Sequence, residues 1–256
     1  MSAGPASGGG IVRIRLLIAY DGRPFQGWQS QSKGQAVQDH LERALVELCG
    51  SRIVVHGSGR TDAGVHALGQ VAHMDVPVAP IPEGRWQHAL NSRLPQEIRV
   101  LKATRARGDF HARFRAKGKV YVYRIWNESV LHPLEIGRAW HFPVPLDAER
   151  LRECARRLEG RHDFAGFAAN RGTPVADTVR TVQQITIRRQ GALWTLRFRG
   201  DGFLYRMVRL LTGTMVRCAQ GKAAPEWIDE LLEARGRVKT SFAAPAEGLY
   251  LRQVLY

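Results

Sequence analysis

The chain has 256 residues, enough for one large domain or two of about 100–150 residues each. Its 44% hydrophobic and 24% charged content is that of a globular protein and excludes a disordered or fibrous chain. Lysine and arginine number 38 against 23 acidic residues, a formal charge of +15 that favours a polyanionic partner, because each phosphate neutralised releases condensed counterions.

Residues 1–10 are Gly- and Ser-rich with no apolar core, so they read as a flexible tail and not as a secretory signal. No apolar run approaches the ~18 residues of a membrane span. The expectation is a cytoplasmic protein with no membrane partner. Residues 11–20 alternate, with Val12, Ile14, Leu16 and Ile18 opposing Arg13 and Arg15, which predicts a half-buried strand. Residues 20–31 form a loop rich in glycine, glutamine and aromatic groups. Such a loop either offers rings and amides to nucleobases or folds back on the core. Val37, Leu41, Ala44, Leu45 and Leu48 follow helical spacing, and Gly50 closes that helix.

A β-branched run, Ile53 to Val55, then enters a turn containing Gly57, Gly59 and Gly64, with Arg60, Thr61 and Asp62 at its centre. Strand-like sequence resumes over 65–74. Glycines there permit positive φ or close approach of another chain segment. An acidic group held beside an arginine in such a turn is a candidate reagent; the blander reading is an Asx turn with a solvated arginine. Pro80 and Pro82 precede a short helix carrying Trp86, Ala89, Leu90 and Leu94, stopped by Pro95. Residues 98–103 complete a β-α-β-β-α-β order, the ferredoxin-like pattern with helices on one sheet face.

A basic stretch, 105–119, joins this half (11–108) to a second (109–256) in which the order recurs. Residues 119–126 alternate as a strand. Asp147 is the expected N-cap of a helix through Leu151, Cys154, Ala155 and Leu158, with Leu146 and Leu151 as its hydrophobic staple. Residues 178–189 and 192–199 read as a hairpin turning at Gln190-Gly191. Residues 204–216 read as a helix with Leu204, Met207, Val208, Leu211 and Met215 inward, and Pro225 opens a short helix with Trp227, Ile228, Leu231 and Leu232. Residues 248–256 end the chain as a strand. The predicted fold is α+β: two ferredoxin-like halves on one extended, mainly antiparallel sheet, with a cleft between them.

Reagents for several chemistries are missing. HExxH, GxxxxGK[ST], GxSxG and a helix-opening GxGxxG are absent from the sequence. Cys49, Cys154 and Cys218 are isolated and odd in number, which supports neither zinc nor disulfides and suits small apolar residues in a reducing compartment. His66 and His73, seven apart, fall on opposite strand faces. Without clustered carboxylates a two-metal nuclease is disfavoured, and a cofactor-free reaction is left. Asp62 can then be a nucleophile, a base or a structural partner of arginine. An ionised nucleophilic carboxylate acts at glycosidic carbons and needs a nearby cation, from Arg60 or from Arg206 and Arg209, expected at i and i+3 on one helix face.

Residues 59–66, Gly-Arg-Thr-Asp-Ala-Gly-Val-His, closely resemble the catalytic motif of the bacterial tRNA pseudouridine synthase A family, the tRNA pseudouridine(38-40) synthases. Tyr20-Asp21-Gly22 with Phe25, Gly27-Trp28-Gln29 and Gln31 fits the family's opening. So do residues 109–114, Tyr121-Val122-Tyr123, residues 203–209 with Met207-Val208-Arg209, and Glu247-Gly248-Leu249-Tyr250. The resemblance implies an isomerase that flips a uridine out of the tRNA anticodon arm and rejoins uracil through C5, as a homodimer and with no cofactor. It implies Asp62 as the catalytic aspartate, attacking sugar C1′ or base C6. Tyr121 would stack on the base, Arg209 would pair with the aspartate, and Arg60 would assist flipping. Arg206 is assigned to RNA contact alone. Tyr123 is placed on the other face of its strand in a structural role. A non-catalytic RNA-binding protein is the competing class, and a synthase acting on another RNA a third.

Overall fold

In the computed structural model, residues 10–78, 81–170, 172 and 177–256 are described; the tail and Pro80 lie largely outside them. The N-terminal elements are β1 (Ile11–Tyr20), α1 (Val37–Cys49), β2 (His56–Gly57), β3 (His66–Pro77), α2 (Trp86–Asn91) and β4 (Ile98–Arg105). The C-terminal ones are β5 (Gly118–Trp126), β6 (Trp140–His141), α3 (Ala148–Leu158), β7 (Gly160–Asp163), β8 (Val179–Gln190), β9 (Leu193–Gly200), α4 (Met207–Ala219), α5 (Trp227–Glu233) and β10 (Leu249–Leu255). No described helix is long and apolar enough to cross a membrane.

The strands form one ten-stranded sheet in the order β4-β1-β3-β10-β5-β9-β8-β7, with β2 on β3 and β6 on β5. Within each half the order is that of a ferredoxin-like unit, fourth-first-third-second: β4-β1-β3-β2 and β10-β5-β9-β8. The halves meet where the chain's last strand runs parallel to β3, Tyr250 opposite His66 and Leu251 opposite Ala67, and antiparallel to β5. β2 is only two residues long because it shares that edge of β3 with β10; it pairs further along, at Ala72 and His73. The β-branched run Ile53 to Val55 therefore lies outside any strand, contrary to its propensity.

The cores follow the periodicities. Ile14, Leu16 and Ile18 of β1 are fully buried with Val37, Leu41 and Leu45 of α1. In the other half Tyr123, Leu196 and Phe198 are buried with Leu151, Cys154, Leu158, Leu211 and Met215. Gly50 ends α1 at φ 72° with its N–H on Val46 O, a left-handed cap that a Cβ would strain. Asp147 caps α3 by accepting from the N–H groups of Glu149 and Arg150 at 2.8 and 3.1 Å. Asp147→Ala is expected to lower stability by about 1 kcal/mol, read as a Tm fall of about 2–4 °C in calorimetry.

Three local expectations are corrected. The hairpin turn is Gly191-Ala192, one residue later than read, with Gly191 at φ 58°. Residues 204–206 are not helical: Arg206, at φ 58°, is the N-cap of α4. Tyr123 shares a face with Tyr121, as a period of two requires, and its role is structural: its hydroxyl donates to Pro245 O at 2.8 Å. All three cysteines are unpaired, and Cys154 and Cys218 are buried.

Candidate active site

The turn after β2 is held from below by the 20–31 loop. Trp28 N–H donates to Thr61 O at 3.1 Å, and the Tyr20 hydroxyl lies 2.8 Å from Thr61 Oγ1. Burial pushes the Tyr20 phenol up to about 12, so at neutral pH it is an uncharged brace. The aromatic groups of this loop, Tyr20, Phe25 and Trp28, are buried, so they build the turn's foundation and are not surfaces for nucleobases. The turn glycines serve separate ends. Gly64 has φ 77°, whereas a Cβ on Gly57 would stand 2.4 Å from the Trp28 indole and one on Gly59 would stand 2.3 Å from Lys119 Nζ.

Asp62 lies in this turn on the wall of a cleft of about 840 Å³. Its carboxylate, 18% exposed, is met from the C-terminal half: Arg209 Nη1 is 3.3 Å from Oδ2 and Arg206 Nε is 3.8 Å from the same atom. Arg209 is on the first turn of α4, 14% exposed, and its Nε donates to Ala244 O at 2.7 Å, which fixes the guanidinium. Arg206, at the head of the helix, is 44% exposed and lies over the Tyr205 ring. The helix spacing expected to align the two arginines does not operate, yet both converge on Asp62.

Tyr121 of β5 is buried at the same cleft, edge-on to Phe203 at 5.2 Å. Burial, with Tyr20 and Asp62 nearby, holds its phenol protonated well above the ordinary range. Among the described residues its hydroxyl has no hydrogen-bond partner, so it is available to whatever enters. Arg60 also lines the cleft, but its Nε donates to Gln29 Oε1 at 3.1 Å and it is exposed. Arg60 is thus a rim residue, and the cations at Asp62 come from the other half.

The 105–119 link runs across the sheet face away from the helices. Arg13 donates to Gly108 O and Phe110 O, Arg15 stacks over Phe110 and Tyr256, and Ala112 N–H donates to His73 Nδ1. Burial, His111 and Arg13 bring His73 down to about 4, so it is neutral. This course delivers His111, Arg113 and Phe114 to the cleft, where Phe114 is 76% exposed with the His111 ring 4.3 Å away. His66, last residue of the turn motif, is structural. It accepts from Gly22 N–H, contacts Gly137 O at 3.0 Å through Nε2 and stacks on Tyr250 at 4.5 Å. No group of three or more potential metal ligands gathers among the described residues.

A profile of the family described as tRNA pseudouridine synthase matches residues 16–115 and 154–256. The chain belongs to that family. It is similar to tRNA pseudouridine synthase A of Akkermansia muciniphila, 46% identical over 253 residues and 96% of each chain. The enzymes of the same name from Bacillus licheniformis and Bacillus subtilis are 44% and 43% identical over 249 residues, covering 96% of this chain and 99% of theirs. Asp62, Arg60 and Arg209 lie within the matched segments and Tyr121 between them. Asp62, Arg60 and Tyr121 line one cleft and Arg209 reaches Asp62, and the membership makes this pseudouridine synthase an isomerase.

Proposed function

We propose that the protein converts uridine to pseudouridine in the anticodon arm of tRNA, at positions 38–40, with Asp62 as the catalytic carboxylate. The observation that carries this reading is a carboxylate held by Arg209 and Arg206 in a cleft whose charged lining is mainly cationic, with Arg60, Arg113, Lys119, Arg180 and Arg206 against Asp62 and Asp201. Such a group repels phosphates. A module that only bound RNA would gain from its loss, whereas a nucleophilic carboxylate needs cations beside it, and two arginines stand there.

The substrate uridine is stacked in its stem-loop and must be extruded at a cost of a few kcal/mol. Arg60 on the rim occupies the flipping position, and Tyr121 forms the wall on which the uracil stacks. Asp62 attacks C1′ of the sugar or C6 of the base, and the N1–C1′ bond breaks. The uracil turns and C5 bonds to C1′. The bond to Asp62 breaks, at C1′ as C5 displaces the carboxylate or at C6 by its later elimination, the hydrogen on C5 leaves as a proton and N1 gains one. Arg209 balances the charge that leaves and returns to the carboxylate. The Tyr121 phenol, held protonated by burial in the free protein, orients the base, and the C5 proton passes to solvent or to the carboxylate that Asp62 regains.

The division into residues 11–108 and 109–256, a cytoplasmic location and a homodimer belong to the same proposal; light scattering on the purified protein tests the dimer. The activity is tested by tritium release from tRNA carrying tritium at C5 of uridine. Release from unmodified tRNA is expected, located at positions 38–40 by sequencing. No release would move the reading to another RNA or to a binding protein. Affinity for tRNA is expected to fall steeply with salt, log Kd changing by about 0.7–0.9 per phosphate contact for each decade of salt. A flat response in filter binding would contradict the basic cleft.

A further inference from the structure

Lys119 stands on β5 two positions before Tyr121, so the two side chains leave the strand on the same side, and both line the cleft. Its ammonium is pressed against the Gly59 backbone, three residues before Asp62; a Cβ added to that glycine would stand 2.3 Å from Nζ. The neighbouring acids are already engaged. Asp62 is met by Arg206 and Arg209, and Asp201 accepts from Thr181 N–H at 3.0 Å. The link segment adds only Arg113, a like charge. Among the described residues nothing accepts a hydrogen bond from Lys119 and no carboxylate pairs with it. A half-buried ammonium in that position carries a desolvation penalty that the free protein does not offset.

We propose that Lys119 is a phosphate subsite, binding a phosphodiester of the substrate RNA beside the extruded uridine. The inference rests on the RNA substrate of the preceding section. An anion fits this position better than a neutral uracil carbonyl, because it offsets the charge of the half-buried ammonium as well as accepting its hydrogen bonds. The phosphodiester is the anion the substrate carries next to the flipped nucleotide. An ammonium, a compact charge with three donors, suits one phosphate oxygen approaching beside the turn.

Burial and Arg113 bring the Lys119 ammonium down to about 8 in the free protein. A bound phosphate raises it again, so binding is strongest with Lys119 protonated and weakens above pH 8, by at most about tenfold per pH unit for one proton. His111, Tyr121, Arg60 and Arg113 share the cleft, and the lysine variants separate their contribution from that of Lys119.

The experiment measures Kd, its salt slope, KM and kcat for unmodified tRNA with wild type, Lys119→Met and Lys119→Arg from pH 6.5 to 9.5. Alongside, lysine acylation of the wild-type protein is mapped by mass spectrometry with and without tRNA. Lys119→Met is expected to raise Kd and KM about tenfold or more, to reduce the salt slope by about one and to abolish the weakening above pH 8. Lys119→Arg keeps the slope and loses the pH dependence. In wild type at pH 8, Lys119 is acylated rapidly alone and protected by saturating tRNA. An unchanged Kd and slope in folded Lys119→Met overturns the proposal, as does a fall confined to kcat, which would put the lysine on the uracil. Should Lys119→Met not fold, undiminished acylation of wild type under tRNA overturns it. Absence of tritium release by wild type is a separate result and counts against the isomerase reading alone.

Discussion

Asp62→Asn is expected to lower tritium release by on the order of 10⁴-fold or more, the size of loss that follows removal of a covalent nucleophile. The same variant should bind tRNA within a few-fold of wild type. The substitution keeps the shape of the side chain and removes only its charge and nucleophilicity. The turn does not depend on the carboxylate for its form. Trp28 N–H on Thr61 O, the Tyr20–Thr61 hydroxyl pair and Val65 N–H on Asp62 O are all indifferent to the change. Arg209 also keeps its bond to Ala244 O. Loss of one negative charge beside the RNA path acts, if anything, to tighten binding. Turnover comparable to wild type would end the assignment of Asp62. Loss of binding in step with activity would instead make Asp62 a structural partner of the arginines.

The fold was legible wherever one face of an element meets the core. β1, α1, α3 and the β8–β9 hairpin each carry a clean period, and each formed within a residue or two of its expected place. What failed was local structure decided by distant segments. Ile53 to Val55 have strand propensity but no free edge, because the chain's own terminus occupies part of β3. Residues 204–206 have helical spacing, but Arg206 takes a left-handed conformation that sends its guanidinium toward Asp62. In the proposed site, the turn motif pointed to Asp62 and Arg60 and the strand and helix blocks to Tyr121 and Arg209; the structure brings Asp62, Arg60 and Tyr121 to one cleft and Arg209 against Asp62. The destination of each side chain could not be read. Proximity in sequence suggested Arg60 as a counter-ion, whereas a residue two positions away on a tight turn points elsewhere, here to Gln29. Lys119 carried no signal in the sequence, since an isolated lysine on a strand is ordinarily solvated; only its packing against Gly59 sets it apart. For the 20–31 loop the sequence left two readings open, rings offered to nucleobases or rings folded on the core; the structure selects the second, and the choice depends on the turn they support.

Arg209→Ala is expected to cost about a hundredfold in kcat, with a smaller change in KM. The guanidinium makes two bonds in different directions, Nε to Ala244 O at 2.7 Å and Nη1 toward Asp62 at 3.3 Å. Two unit charges at that separation attract by on the order of 5 kcal/mol at an effective dielectric of ~20. Much of that gross figure is offset by desolvation of a pair that is largely but not fully buried, and losing one preorganised partner of a reacting charge costs roughly 2.7 kcal/mol at the transition state, the hundredfold expected. Arg206 does not replace Arg209: it is 3.8 Å away, three times as exposed and bound by no backbone carbonyl near Asp62. Lysine is not a conservative substitute either. A single ammonium cannot hold Ala244 O and reach Asp62 together, so Arg209→Lys is expected to recover binding before it recovers kcat. Steady-state tritium release by the two variants, with thermal melts as the folding control, decides the matter. Equal kcat in Arg209→Ala and wild type would show that the carboxylate needs no fixed cation. Full recovery of kcat by lysine would show that the charge matters and its orientation does not.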